Sequence, residues 1–62
     1  MRIVVADDNA LIREGLAALL RESGLDVVGK CADRDELLTA VRAHEPDVAI
    51  VDVRMRSERS AM

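Results

Sequence analysis

The chain has no phenylalanine, tyrosine or tryptophan. Those side chains bury the most area each, so any core here must be aliphatic. With 62 residues there is room for one domain. A chain of that size buries only roughly 60% of its unfolded surface, and stability is predicted to be marginal. There is one cysteine, Cys31, which excludes an internal disulfide and fits a reducing, cytoplasmic setting. No apolar run approaches the length that crosses a bilayer, so no membrane contact is expected. The opening "MRIVVADD" meets two acids after four apolar residues, unlike a signal peptide. Excess positive charge is lacking too. The formal net charge is −3, and no direct nucleic-acid contact is expected.

What is present reads as a globular chain, 50% apolar and 34% charged. Ile3-Val4-Val5-Ala6 is continuous and mostly β-branched instead of alternating. Such a run suits a strand covered on both faces, as in a parallel sheet. It stops at Asp7-Asp8-Asn9. From Ala10 to Ser23 the spacing turns helical, with Ile12, Leu16, Leu19 and Leu20 on one stripe predicted to pack inward. Asp8 or Asn9 can cap the start of that helix, and Gly24 suits its end. The stretch "LDVVGKC", from Leu25 to Cys31, reads as a second strand; its Asp, Gly and Lys predict an edge position. Asp33 and Glu36 have the spacing of a capping box. They open a second helix that runs to about Glu45, is predicted to bury Leu37, Leu38 and Val41, and is stopped by Pro46. Val48-Ala49-Ile50-Val51 is another continuous apolar strand, ending at Asp52. The order β-α-β-α-β predicts the α/β class, with parallel strands and right-handed crossovers.

In an open parallel sheet the carboxyl ends of the strands share one edge, and ligands bind there. Asp7 and Asp8 follow the first strand and Asp52 follows the third. If these strands are neighbours, their carboxylates converge. Two carboxylates about 4 Å apart repel by about 4 kcal/mol at an effective dielectric near 20. A small domain has little stability to offset that, and a bound cation relieves it. Oxygen ligands favour a hard ion, and Mg²⁺ is the usual one where phosphate is also bound. The plainer reading is that Asp after a strand caps a helix or forms a turn. For Asp8 alone the two readings stand level, whereas the acids together favour a site. A carboxylate can also act as a nucleophile toward phosphorus. Asp52 is the candidate because it stands alone on its strand, while Asp7 and Asp8 form a natural metal pair.

"IVVADDNALIREGLAALL", followed by "DVAIVDVRM", resembles the receiver domain of bacterial two-component response regulators. The stretch "DDNALIREGL" is closest to the NarL/FixJ-type transcriptional regulators. The resemblance covers residues 2–55. It implies a flavodoxin-like receiver fold with its sheet in the order 2-1-3. Carried over residue by residue, Asp52 matches the phosphoacceptor. Asp7 and Asp8 match the acidic pair that holds Mg²⁺ together with Asp52. Arg54 matches the position whose backbone carbonyl joins the metal shell. The implied function is phosphorelay signalling rather than enzyme catalysis: a sensor histidine kinase passes a phosphoryl group to Asp52, with Mg²⁺ as cofactor.

Two features depart from the family pattern. The family continues D-x-x-M-P after the acceptor, whereas Met55 is followed by Arg56. A receiver has five strands, and three are read here. The hydroxyl residue after the fourth strand and the lysine after the fifth have no counterpart. The expected organisation is a partial receiver at 1–55, truncated after the third strand, and a polar tail at 56–62 outside the family pattern. An inert remnant unable to switch is therefore the first alternative. The second is a Mg²⁺-dependent, haloacid-dehalogenase-like phosphatase; such enzymes carry D-x-D after the first strand, but here the acids are adjacent. With the order 2-1-3, Val48 to Val53 is a bare edge without Lys or Pro, which predicts self-association through the third strand. Other residues have plain readings. His44 sits where a helix C-terminus favours a cation, and is weighed against a ligand or phosphohistidine role. Cys31 reads as a half-buried strand residue. Arg13 and Glu14 read as solvated helix residues.

Overall fold

The computed structural model describes residues 1–55, and the expectation for the tail at 56–62 lies outside them. Its elements are β1 (Arg2–Ala6), α1 (Ala10–Glu22), β2 (Asp26–Cys31), α2 (Arg34–His44) and β3 (Val48–Val51). The three strands form one parallel sheet in the order β2-β1-β3. This is the partial flavodoxin-like receiver arrangement, and it places β2 at an edge as its composition predicts. Ile3 to Ala6 pair in unbroken register with Val48 to Val51. On the other side Ile3 faces Val27 and Val4 faces Gly29, so the register shifts past Val28.

The sheet has two apolar faces. On one, Ile3, Val5 and Val27 join Ala17 of α1, with Leu16, Leu20, Leu25 and Ile50 packed around them. On the other, Val4, Ala6 and Cys31 are covered by Leu37 and Ala40 of α2 and by Val28 and Met55. Gly29 permits the close approach of α2: a Cβ there would lie 3.4 Å from both the Ala40 Cβ and a Val4 methyl.

Both helices pack on β1 and β2. That placement corrects part of the predicted core. Leu16, Leu20 and Leu37 turn inward, but Ile12, Leu19, Leu38 and Val41 are exposed. The apolar stripe is real, and only its inner flank is covered among the described residues.

The helix ends follow local chemistry. Asn9 is the N-cap of α1; its Oδ1 accepts from the amides of Leu11 at 2.9 Å and Ile12 at 3.2 Å. Asp8 is thereby left out of capping. Gly24 takes φ 87° just past α1, a conformation that costs glycine nothing. Asp33 caps α2 through the Glu36 amide. Glu36 reaches past the cap and accepts from the Ala32 amide at 2.7 Å, so the reciprocal half of the capping box is shifted by one residue.

Candidate functional site

Strand register brings the acids together. Ala6 pairs with Val51, so the next residues, Asp7 and Asp52, leave the sheet side by side. Both are still held by the ladder at this point: the Asp7 amide donates to the Cys31 carbonyl at 3.0 Å, and the Asp52 amide donates to the Ala6 carbonyl at 3.0 Å. Asp8 follows on the loop that leads into α1. One carboxylate oxygen from each of Asp7, Asp8 and Asp52 lies within 4.8 Å of the other two. These residues line an open cleft of about 280 Å³ with Asn9, Ile12 and Arg54.

Each strand-end acid uses one oxygen for its own turn. Asp7 Oδ1 accepts from the Asn9 amide at 2.9 Å, and Asp52 Oδ1 accepts from the Arg54 amide at 3.0 Å. These are Asx-type turns, the ordinary structural use of such residues. Among the described residues the second oxygen of each takes no hydrogen bond, and neither oxygen of Asp8 does. Asp8 is exposed, while Asp7 and Asp52 are half-buried. An all-carboxylate donor set this close suits a hard divalent cation.

The turn after β3 also sets Arg54. The Met55 amide donates to the Asp52 carbonyl at 3.0 Å, which closes a tight turn over Val53 and Arg54. Arg54 contributes to the cleft wall.

Arg13 departs from its reading as a solvated residue. Its side chain is only 18% exposed. It turns back from the first turn of α1, and a guanidinium N–H donates to the Asp7 carbonyl at 2.9 Å. No sequence pattern flags this, because the contact is to backbone. Glu14 is tied to Lys30 of β2 at 2.6 Å. That hydrogen bond outweighs the opposing desolvation and, with the nearby positive charges, lowers its carboxyl below the usual range.

His44 and Cys31 lie elsewhere. His44 ends α2 at the opposite edge of the sheet from the acids, where its carbonyl accepts from the Arg2 guanidinium at 2.6 Å. Cys31 is a buried free thiol, raised above its ordinary pKa by burial and by the charges of Glu36 and Asp33. Both line a larger cavity of about 550 Å³ between β2 and α2. That cavity contains none of the three clustered acids, and it has no part in their chemistry.

Residues 3–59 match the family model described as the response regulator receiver domain. The chain belongs to the response regulator receiver family. It is 44% identical over 54 residues to the transcriptional regulatory protein PdtaR of Mycobacterium tuberculosis, covering 87% of this chain and 26% of that protein. It is 46% identical over 56 residues to the probable transcriptional regulatory protein NarL of the same organism, covering 89% of this chain and 26% of that one. It is also 42% identical over 55 residues to a protein-glutamate methylesterase/protein-glutamine glutaminase of Haloarcula marismortui, covering 89% of this chain and 15% of that protein. The chain thus spans about a quarter or less of the length of these relatives. The receiver family is a module of two-component phosphorelay signalling, here among relatives that include transcriptional regulators. No helix of the described residues is long and apolar enough to cross a membrane.

Proposed function

We propose that this chain is the phosphoacceptor part of a cytoplasmic transcriptional response regulator, and that Asp52 receives a phosphoryl group from a sensor histidine kinase. The observation that carries this reading is the convergence of Asp52 with Asp7 and Asp8 at one end of adjacent strands. The Asp52 oxygen not held by the Arg54 amide is the nucleophile. It attacks phosphorus of the kinase phosphohistidine and forms an acyl phosphate. The P–N bond breaks, and its electron pair returns to the imidazole, which takes up a proton. Asp7, Asp8 and Asp52, with the backbone carbonyl of Arg54, are the residues that would hold Mg²⁺. When bound, Mg²⁺ supplies positive charge against the oxygens of the transferring group. The Asx turns at Asp7 and Asp52 keep the carboxylates from swinging out of the cleft.

The residues lining the cleft also favour slow transfer by the 62-residue chain on its own. Among the described residues they are Asp7, Asp8, Asn9, Ile12, Asp52 and Arg54, with neither a hydroxyl nor a lysine among them. The only lysine in the sequence, Lys30, is held on β2 by Glu14. Groups that stabilise developing charge are each worth about 3–4 kcal/mol of barrier, so transfer without them is expected to be slow. The test is incubation with a small-molecule acyl phosphate and Mg²⁺, followed by intact-mass measurement. Partial labelling that disappears in Asp52→Asn and without Mg²⁺ is the expected result. Labelling that survives Asp52→Asn overturns the assignment, and no labelling at all favours the inert reading.

We propose in addition that the 62-residue chain in isolation associates through β3. The outer side of this strand pairs with nothing among the described residues, and Val48 and Val51 are exposed. An unprotected apolar edge is a template for another strand.

A further inference from the structure

Asp7 is held at both of its backbone groups. Its amide donates to Cys31 of β2, and its carbonyl accepts from Arg13 of α1. The Asp7 carbonyl belongs to the same rigid plane as the Asp8 amide, because the peptide bond between them does not rotate. Fixing that oxygen therefore fixes the plane from which Asp8 departs. Asp8 has no other anchor: it does not cap α1, and among the described residues its carboxylate accepts no hydrogen bond. Arg13 is itself restrained. Its Nε lies 3.7 Å from Glu14, whose other oxygen is held by Lys30, one residue before Cys31 on β2.

We infer that Arg13 is a positioning residue for the acidic cleft, and that its grip on the Asp7–Asp8 peptide plane keeps the two carboxylates in chelating geometry. The inference rests on the reading of the cleft as a divalent-cation site. It makes a prediction of definite sign. Arg13 carries positive charge at the backbone carbonyl of Asp7, one of the three clustered acids. By Coulomb's law alone, removing that charge makes the cleft more negative and tightens cation binding. If Arg13 works by positioning, removing it loosens binding. The two effects oppose each other, and the direction of change identifies which one governs.

The experiment is calorimetric titration of Mg²⁺ into the wild-type protein and the variants Arg13→Met, Arg13→Lys and Asp8→Asn. Melting is recorded in parallel without Mg²⁺. Arg13→Met keeps the apolar stem and loses the donor, and its Mg²⁺ dissociation constant is expected to rise about 10-fold, the lower end of what loss of a supporting contact costs a metal site. Arg13→Lys, which keeps a charged donor of nearly the same reach, is expected to recover most of that loss. Equal or tighter Mg²⁺ binding by Arg13→Met overturns the inference, as does a lowered melting temperature with unchanged affinity. Should Arg13→Met lose its helical circular dichroism, Arg13→Gln, which stops short of the carbonyl, is read by the same criteria. A wild-type protein that binds no Mg²⁺, or an Asp8→Asn variant that binds it equally well, instead removes the cation site itself and this inference with it.

Discussion

β1 and β3 are almost the same strand in composition and very different strands in the fold. Ile3-Val4-Val5-Ala6 and Val48-Ala49-Ile50-Val51 are both short, continuous and aliphatic. β1 is paired on both edges and covered on both faces; Val4 and Val5 are fully buried. β3 is paired on one edge, and only Ile50 packs into a core cluster, while Val51 remains 41% exposed. A continuous apolar run therefore reports that a strand belongs in a two-faced parallel sheet. It does not report whether the layers that cover it are present. Each strand still delivers its acids to the same sheet end, because register rather than burial sets where a strand stops.

The contrast is broken most directly by matched truncations. Val5→Ala opens a cavity among Ile3, Ala17 and Val27, where no neighbour can easily collapse, and is expected to cost about 2 kcal/mol. Val51→Ala removes methyl groups that are already partly in water, and is expected to cost less than about 0.5 kcal/mol. Urea unfolding followed by circular dichroism measures both. Equal losses at the two positions would mean that β3 is covered in solution.

The same contrast explains what the sequence disclosed. Strand and helix order, the parallel class and the stop at Asp52 were legible because local patterns determine them. The resemblance to receivers supplied the order β2-β1-β3. The clustering of Asp7, Asp8 and Asp52 was legible once those strands were taken as neighbours. The burial of Leu38 and Val41 was overestimated, because periodicity identifies an apolar flank without identifying what lies opposite it. Arg13 was missed for a different reason. Its partner is a main-chain carbonyl, which has no signature in the side-chain sequence. The choice of Asn9 over Asp8 as the cap was left open by propensity, since both residue types cap well.

The proposed Mg²⁺ site would link the covered strand to the uncovered one. If it bridges Asp7 and Asp8 after β1 with Asp52 after β3, it stabilises the folded chain by mass action. At free Mg²⁺ ten times its dissociation constant the gain is about 1.4 kcal/mol. For a domain this small that raises the melting temperature by roughly 5–10 °C. Asp8→Asn is expected to reduce the shift. With Asp52 as a proposed ligand, the shift is also expected to shrink in Asp52→Asn, although Asp52 follows the less protected strand. A shift that Asp52→Asn leaves intact would confine the ion to the β1 end.

Thiol labelling sharpens the comparison at equivalent positions. Cys31 and Val51 flank Ala6 on its two sides. Cys31 is buried and its thiol is raised, so the folded chain holds the proton at a pH where the unfolded thiol has lost it. The sign follows: this group supports the fold at low pH, and its contribution declines as pH rises past the unfolded thiol's value toward the folded one. Alkylation of Cys31 is expected to be slow at neutral pH and to quicken with denaturant. In a Cys31→Ala background, Val51→Cys is expected to label rapidly without denaturant. Comparable rates for the two thiols would show that β2 opens as readily as β3.

The smallest effect on stability carries the clearest structural message. Ala49 lies in the middle of β3 and is exposed, and the strand contains neither Lys nor Pro. Two copies that meet at this edge across a two-fold axis pair antiparallel, which satisfies the unpaired backbone groups of both and closes the assembly. Ala49→Lys is expected to change unfolding free energy by no more than about 0.5 kcal/mol, because an exposed side chain there contributes little packing. It is nevertheless expected to shift the isolated chain from dimer to monomer in sedimentation velocity, since a charge brought against its symmetry mate is both repelled and desolvated. The separation of the two readouts is what matters. A variant that loses association together with stability would mean that the substitution damaged the sheet itself. A wild-type chain that stays monomeric at high concentration, folded and cooperative, would sink the edge-pairing idea and show that an apolar run can end a small sheet without recruiting a partner.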